Sequence, residues 1–248
     1  MAYNLIGVGK NAKTIKGDSS EYLTAIMYLK PHKTMWKGKV RNICPMADTA
    51  GCAEGCLNTA GRGIMSIVQA GRLRKTELLF EDRKHFINLL KTDITVFNRR
   101  TINRAIQPCV RLDGTSDNQF ERFGIMEQFP SVQFYDYTKI VKRAYKKLPS
   151  NYHLTLSYSE ANPDYANEVR QAVDDTGVNM AVVFGVKSAD DFPATFRGLP
   201  VINGDKDDLR FLDPSHCVVG LIAKGKGKKD TSGFVVHPNE DGTWGRLA

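Results

Sequence analysis

The chain lacks any hydrophobic run long enough to cross a membrane. Its longest apolar stretches, residues 180–186 and 217–223, are seven residues each, far short of the ~20 that a spanning helix needs. The opening MAYNLIGVGKNAKTIKG has no long apolar stretch and no small-residue cleavage site, so a secretory signal is not expected. No internal repeat or low-complexity tract is present. Gly7-Val8-Gly9 lacks the third glycine and the preceding strand of a dinucleotide fingerprint, and KGKGKK at residues 224–229 lacks the G-x4-G-K-[ST] of a phosphate-binding loop. What remains is 248 residues, 42% hydrophobic and 25% charged, the proportions of a globular domain able to bury a core without staples.

Charge and cysteine are both unevenly placed. The net charge is +8, but residues 1–110 hold 18 Lys and Arg against 8 Asp and Glu, while residues 111–248 hold 17 against 19. Of five cysteines, Cys44, Cys52 and Cys56 fall within 13 residues, and Cys109 and Cys217 stand alone. An odd count without a secretion signal argues against a disulfide framework and for metal or redox work in a reducing compartment.

The chain reads as one domain over residues 1–248. A β-containing extension covers residues 1–40, a cysteine loop 41–63 and the main body 64–248. Residues 22–29 (YLTAIMYL) are strand-like and stop at Pro31. Two helices follow: Ile64, Ile67, Val68 and Gly71 share one face of the first, and Phe86, Leu89, Leu90 and Phe97 keep a helical period from about Asp82 onward in the second. Beyond Pro108, short apolar runs (CVRL, VQFYDY, YHLTLSY, MAVVFGV, PVIN, CVVGLIA) alternate with polar or helical segments, among them TKIVKRAYKK and residues 164–174. Such runs predict parallel strands buried on both faces. Six to eight of them in this length predict an α/β fold of the (β/α) TIM-barrel type, partial or irregular, with chemistry on the strand-to-helix loops.

The cysteine segment, CPMADTAGCAEGCLNTAGRG, has the spacing C-x7-C-x3-C. Zinc sites are usually built from C-x2-C half-sites, which are missing here, and no histidine lies between His32 and His85. Three thiolates on one glycine-rich loop suit an iron–sulfur cluster better, with Arg41, Arg62 and Arg72 available to offset its charge. One iron would lack a local cysteine; it would take substrate, cofactor, or a distant ligand such as Cys109 or Cys217.

That segment, together with VRLDGTSD, VQFYDYTK, LTLSYSE and INGDKDDLRFLDP…VVGLIAKG…SGFVV, resembles a family of proteins encoded by tailed bacteriophages, over residues 9–236. The resemblance implies a phage protein acting in the host bacterial cytoplasm, with Cys44, Cys52 and Cys56 binding a [4Fe-4S] cluster. A more distant similarity is to the radical S-adenosylmethionine enzymes, which join a three-cysteine loop of spacing C-x3-C-x2-C to a (β/α)-barrel. That similarity implies S-adenosylmethionine on the open iron, with LDGTSD as a loose counterpart of the glycine-rich strand end.

Around such a cluster the barrel loops would supply Asp113, Ser116 and Asp117, which otherwise serve as turn and cap residues. Tyr135 and Tyr137 point the same way in a strand, so one of the two would line the pocket mouth, and Lys224, ending an apolar strand, would contact an anion. Redox or radical-type chemistry on a small-molecule substrate, or with a redox partner, is the expected function. The alternative is a nucleic-acid-associated phage factor with a structural cluster or zinc. Its basis is the basic N-terminal part: Lys10, Lys13, Lys16, Lys30, Lys33, Lys37, Lys39 and Arg41, joined by Arg99, Arg100 and Arg104, with Tyr22, Tyr28 and Trp36 for stacking.

Overall fold

The computed structural model describes residues 4–9 and 21–246; Lys10, Lys13 and Lys16 of the basic N-terminal part lie outside the described residues. Twelve strands are β1 (Ile6–Val8), β2 (Tyr22–Met27), β3 (Lys33–Trp36), β4 (Lys39–Asn42), β5 (Gln107–Arg111), β6 (Gln133–Thr138), β7 (Tyr152–Ser157), β8 (Met180–Phe184), β9 (Thr195–Phe196), β10 (Leu199–Asn203), β11 (Val218–Ile222) and β12 (Val235–Val236). The helices are α1 (Cys52–Gly55), α2 (Ser66–Glu81), α3 (Arg83–Ile102), α4 (Ile125–Gln128) and α5 (Pro163–Thr176). No helix among the described residues is long and apolar enough to cross a membrane.

Among the described residues one mixed sheet has nine strands in the order β1-β2-β5-β6-β7-β8-β11-β10-β9 and a tenth, β12, paired with β8, while β3 and β4 make a separate antiparallel hairpin. The strands from β2 through β10 run parallel, while β1 and β9 are antiparallel edges. β12 lies beside β8 at Val183 and Phe184, beyond the stretch where β7 pairs with Met180 and Ala181. The β-containing N-terminal part supplies β1 and β2, and β2 pairs with β5 through Thr24 and Cys109.

The barrel expectation is corrected by this order. A closed barrel needs its first and last strands hydrogen-bonded, and among the described residues β1 and β9 end the sheet without pairing. β11 also sits between β8 and β10, out of the sequential winding of a (β/α)-barrel. Few crossovers carry a long helix. The TKIVKRAYKK segment forms only a 3-10 turn at Val141–Arg143, because Arg143 turns inward to a set of buried acids instead of lying on a solvated helix face.

The two faces of the sheet differ in chemistry. On one, Ala25, Met27, Val110, Leu112 and Phe134 pack against Phe86, Leu90, Ile94 and Phe97 of α3. On the same face Leu156, Met180, Val182 and Phe184 pack against Tyr165, Val169 and Val173 of α5. Each fully buried large side chain contributes about 1.5–3 kcal/mol. Asn162 caps α5 by accepting the Tyr165 N–H at 3.0 Å, Pro163 opens the first turn, and Gly177 at φ 70° ends it. The opposite face carries Thr24, Arg111, Tyr135, Tyr137, His153 and Thr155, set by the register Thr24–Cys109, Tyr135–His153 and Tyr137–Thr155. Among the described residues no α-helix packs there. The connection between β10 and β11 covers it: Asp208 accepts from Arg111 at 2.7 Å and from the Tyr135 hydroxyl at 3.3 Å, and Phe211 packs on Tyr22 and Tyr135.

Candidate functional site at the carboxyl edge of the parallel strands

The cysteine loop follows β4. Asn42 Oδ1 accepts the Cys44 N–H at 2.8 Å, and a turn carries the chain to Gly51, whose φ of 61° requires glycine. Space is equally restrictive: a Cβ at Gly51 would meet the Ala161 Cβ at 2.7 Å and the Ser232 Oγ at 2.8 Å, and one at Gly55 would meet the Phe234 ring at 2.8 Å. Ser159 donates to the Ala50 carbonyl at 2.7 Å, and the Lys226 N–H reaches Thr59 Oγ1 at 3.3 Å. The loop is thus clamped between the end of β7 and the segment joining β11 to β12.

Cys44 and Cys56 are half-buried, and their thiols lie within electrostatic reach of each other and of Cys52. Burial pushes both upward in pKa, and the neighbouring Asp117 and Asp113 add to the rise at Cys44. The Cys44 thiol is turned to the Thr115 carbonyl at 3.8 Å. The [4Fe-4S] expectation is corrected at this point, and the structural-zinc alternative falls with it. Among the described residues no group of three or more His, Cys, Asp or Glu is arranged to hold a metal ion. S-adenosylmethionine, expected on an open iron, loses its anchor with the cluster. Cys109 and Cys217 are core thiols raised by burial to about 12 and about 11.

Beside Cys44 the loop after β5 folds into the protein. Ser116 and Asn118 donate to Asp113 Oδ1 at 2.5 and 2.9 Å, leaving Oδ2 buried and without a partner. Asp136 on β6 accepts the N–H groups of Leu112 and Asp113 at 3.2 and 2.9 Å. Burial holds both carboxyls above the usual carboxylate range, and the Asp136 charge raises Asp113 further. Asp117 accepts from Thr138 and from the Lys139 N–H at 2.8 Å each, and donates its own N–H to the Ile43 carbonyl at 2.9 Å. Arg143, fully buried, joins Asp117 at 3.3 Å, Glu121 at 3.0 Å and the Tyr152 hydroxyl at 2.8 Å.

Two cations reach the cysteines. Arg72 of α2 lies over the Tyr28 ring at 5.0 Å and donates to Asn58, while Lys139 donates to Ser157 at 2.8 Å; both act on the Cys56 thiol. The Asn58 N–H points at Cys56 Sγ at 3.4 Å.

The structure therefore brings Asp113, Ser116 and Asp117 to the cysteine loop and leaves the other candidates apart. Tyr135 is buried on the helix-free face, with its hydroxyl on Thr24 and Asp208. Lys224 is paired with Asp205 at 2.6 Å. Arg62 is exposed on the 3-10 turn Gly61–Ile64. Sequence reasoning passed over Arg111, Lys139, Arg143 and Asp208. For Arg111 a signal was available: a charge inside an otherwise apolar strand run must be paired to be buried.

No curated protein and no solved structure matches the chain. A match to the phage protein family described as Gene product 88 covers residues 5–238. It takes in every strand from β1 to β12 and the whole cysteine loop. On that extent, the chain belongs to the Gene product 88 family.

Proposed function

We propose that the protein is an enzyme made by a phage and working in its host cell, with the thiols of the cysteine loop as reacting groups and Cys56 as the thiol that initiates the chemistry. The observation that carries this reading is the setting of Cys56. Burial raises the Cys56 thiol, and the Asn58 N–H at 3.4 Å together with the charges of Lys139 and Arg72 offsets part of that rise, which sets Cys56 apart from the core thiols Cys109 and Cys217. Cys52 lies within electrostatic reach. The reaction class is thiol redox chemistry on a small oxidised substrate. Cys56 and Cys52 give two electrons and two protons to the substrate and close as a disulfide, and a dithiol of the host returns the pair to thiols while becoming a disulfide itself.

Timed alkylation of the native protein with iodoacetamide, read by mass spectrometry, tests this. Cys56 is expected to label well ahead of Cys109 and Cys217, and Lys139→Gln is expected to slow it. Labelling of Cys56 no faster than the two core thiols would overturn the reading.

A second reading, a nucleic-acid-associated factor, is favoured by the β3–β4 hairpin. It stands outside the main sheet and carries Lys33, Lys37, Lys39 and Arg41 with Trp36, and every residue of β4 is exposed. Retention of DNA or RNA that falls steeply with added salt supports it; no retention at low salt sinks it.

A further inference from the structure

The helix-free face of the sheet carries polar groups that no contact within the fold accounts for. Tyr137 Oη, Thr155 Oγ1 and Arg111 Nε are buried and make no hydrogen bond among the described residues. Tyr137 and Thr155 are paired positions on β6 and β7, and Arg111 lies over the Tyr137 ring at 5.0 Å, so the three groups stand together. Thr155 is wholly buried and Arg111 nearly so, at 0% and 7% exposure. The Arg111 charge is answered at its other end by Asp208 at 2.7 Å, while Asp136 stays 4.0 Å from Nε. A buried polar atom without a partner costs about 1–3 kcal/mol, so several in one place call for a ligand.

Position adds a second observation. Two residues further along the same strands, on the same side, come Lys139 and Ser157, joined at 2.8 Å. Lys139 is one of the cations acting on Cys56, and Arg72, the other, also has a buried Nε with no partner. Lys139 thus relates this face to Cys56, on which its charge acts. Tyr137, Thr155 and the Arg111 guanidinium all donate, and His153 Nε2 on the same face is buried without a partner as well. A ligand that satisfies them brings acceptors and negative charge.

We infer that Arg111, Tyr137 and Thr155 hold the acidic group, a carboxylate or phosphate, of the substrate that reacts at the cysteine loop. The inference rests on the thiol reading for the word substrate, but the anion site stands on its own geometry. Arg111 supplies charge and one arm of its fork, and the two hydroxyls complete the cradle.

The test uses the full chain with two probes, inorganic phosphate and acetate, titrated separately by calorimetry. At least one binds the wild-type protein, and the two distinguish a phosphate from a carboxylate seat. Tyr137→Phe with Thr155→Val removes only hydroxyls that have no partner in the fold, so the double variant folds, and it binds the preferred anion about tenfold or more weakly. Arg111→Lys, which keeps the charge facing Asp208, also binds more weakly, because it loses the planar fork. Failure of both anions to bind, or equal binding by the double variant, overturns the inference, since buried water then accounts for the unpartnered groups. Cys56 alkylation in the same samples separates the two readings. Fast labelling of Cys56 without anion binding leaves the thiol reading standing and removes this one; anion binding with an inert Cys56 does the reverse.

Discussion

Asp136 accepts the backbone N–H of Asp113 at 2.9 Å, so the ends of β5 and β6 are joined through a carboxylate that lies beside a second one. The folded protein keeps protons on this pair that the unfolded chain gives up near pH ~4. Asp113 is pushed up to about 8 by burial and by the Asp136 charge. A raised carboxyl stabilises the fold at low pH, and that contribution drains away as pH climbs from the unfolded value through the folded one. Thermal unfolding is therefore expected to show Tm falling between about pH 5 and 8. Asp113→Asn, neutral throughout, should flatten the curve. An unchanged slope in that variant would place the titrating group elsewhere.

Arg143 is the cation of this region. It has 0% exposure and binds Asp117, Glu121 and Tyr152 at once. Arg143→Met strands two buried acids, and a loss of about 3–5 kcal/mol in urea unfolding is expected. A loss below ~1 kcal/mol would mean that the acids find other partners or take up protons.

Gly51 is held by its left-handed backbone and by contact with Ala161 and Ser232. Gly51→Ala should cost about 1–3 kcal/mol. It should also speed alkylation of Cys44 and Cys56 by loosening the clamp, whereas Gly38→Ala, at a positive φ with open space around it, should leave those rates unchanged.

Asp93 on α3 accepts the N–H groups of Asn4, Leu5 and Ile6 at 3.1, 2.6 and 3.3 Å and so anchors β1. Asp93→Ala leaves those donors unmet. Hydrogen exchange of residues 5–8 is expected to accelerate well before that of β5 or β6. Equal protection in the variant would show that pairing with β2 alone secures the strand.

On the hairpin, Lys39→Glu with Arg41→Glu reverses two exposed charges. If nucleic acid docks there, the slope of log affinity against log salt should fall by about two or more. An unchanged slope would remove the hairpin from any such interface.

Much of the sheet was legible because continuous runs such as YHLTLSY and MAVVFGV match β7 and β8 within a residue or two. Closure was not. Whether β1 meets β9, or β11 slips in ahead of β10, depends on contacts between distant segments that no local run encodes. The helical reading of TKIVKRAYKK fails for a related reason, since the need to neutralise Asp117 and Glu121 draws Arg143 into the interior. At the site, residue types and spacing picked out Cys44, Cys52 and Cys56 but not what surrounds them. Spacing along a chain does not report which way a thiol faces, and Cys44 faces the Thr115 carbonyl. Lys139 and Arg72 reach Cys56 only through folding, from positions 83 and 16 residues away in sequence.

The placement of β12 beside the far half of β8 has a consequence for when the protein matures. Gly233 and Phe234, just before β12, complete the clamp on Gly51 and Gly55 by way of the Glu160 N–H and the Gly55 backbone. During synthesis the cysteine loop leaves the ribosome well before Gly233 and Phe234 of its clamp, which lie 177 and 178 residues beyond Cys56. Until residues 233 and 234 emerge, the three thiols of the nascent chain stay uncovered, and a chain released short of residue 233 keeps them so. Assembly of the cysteine loop waits on the segment just before β12.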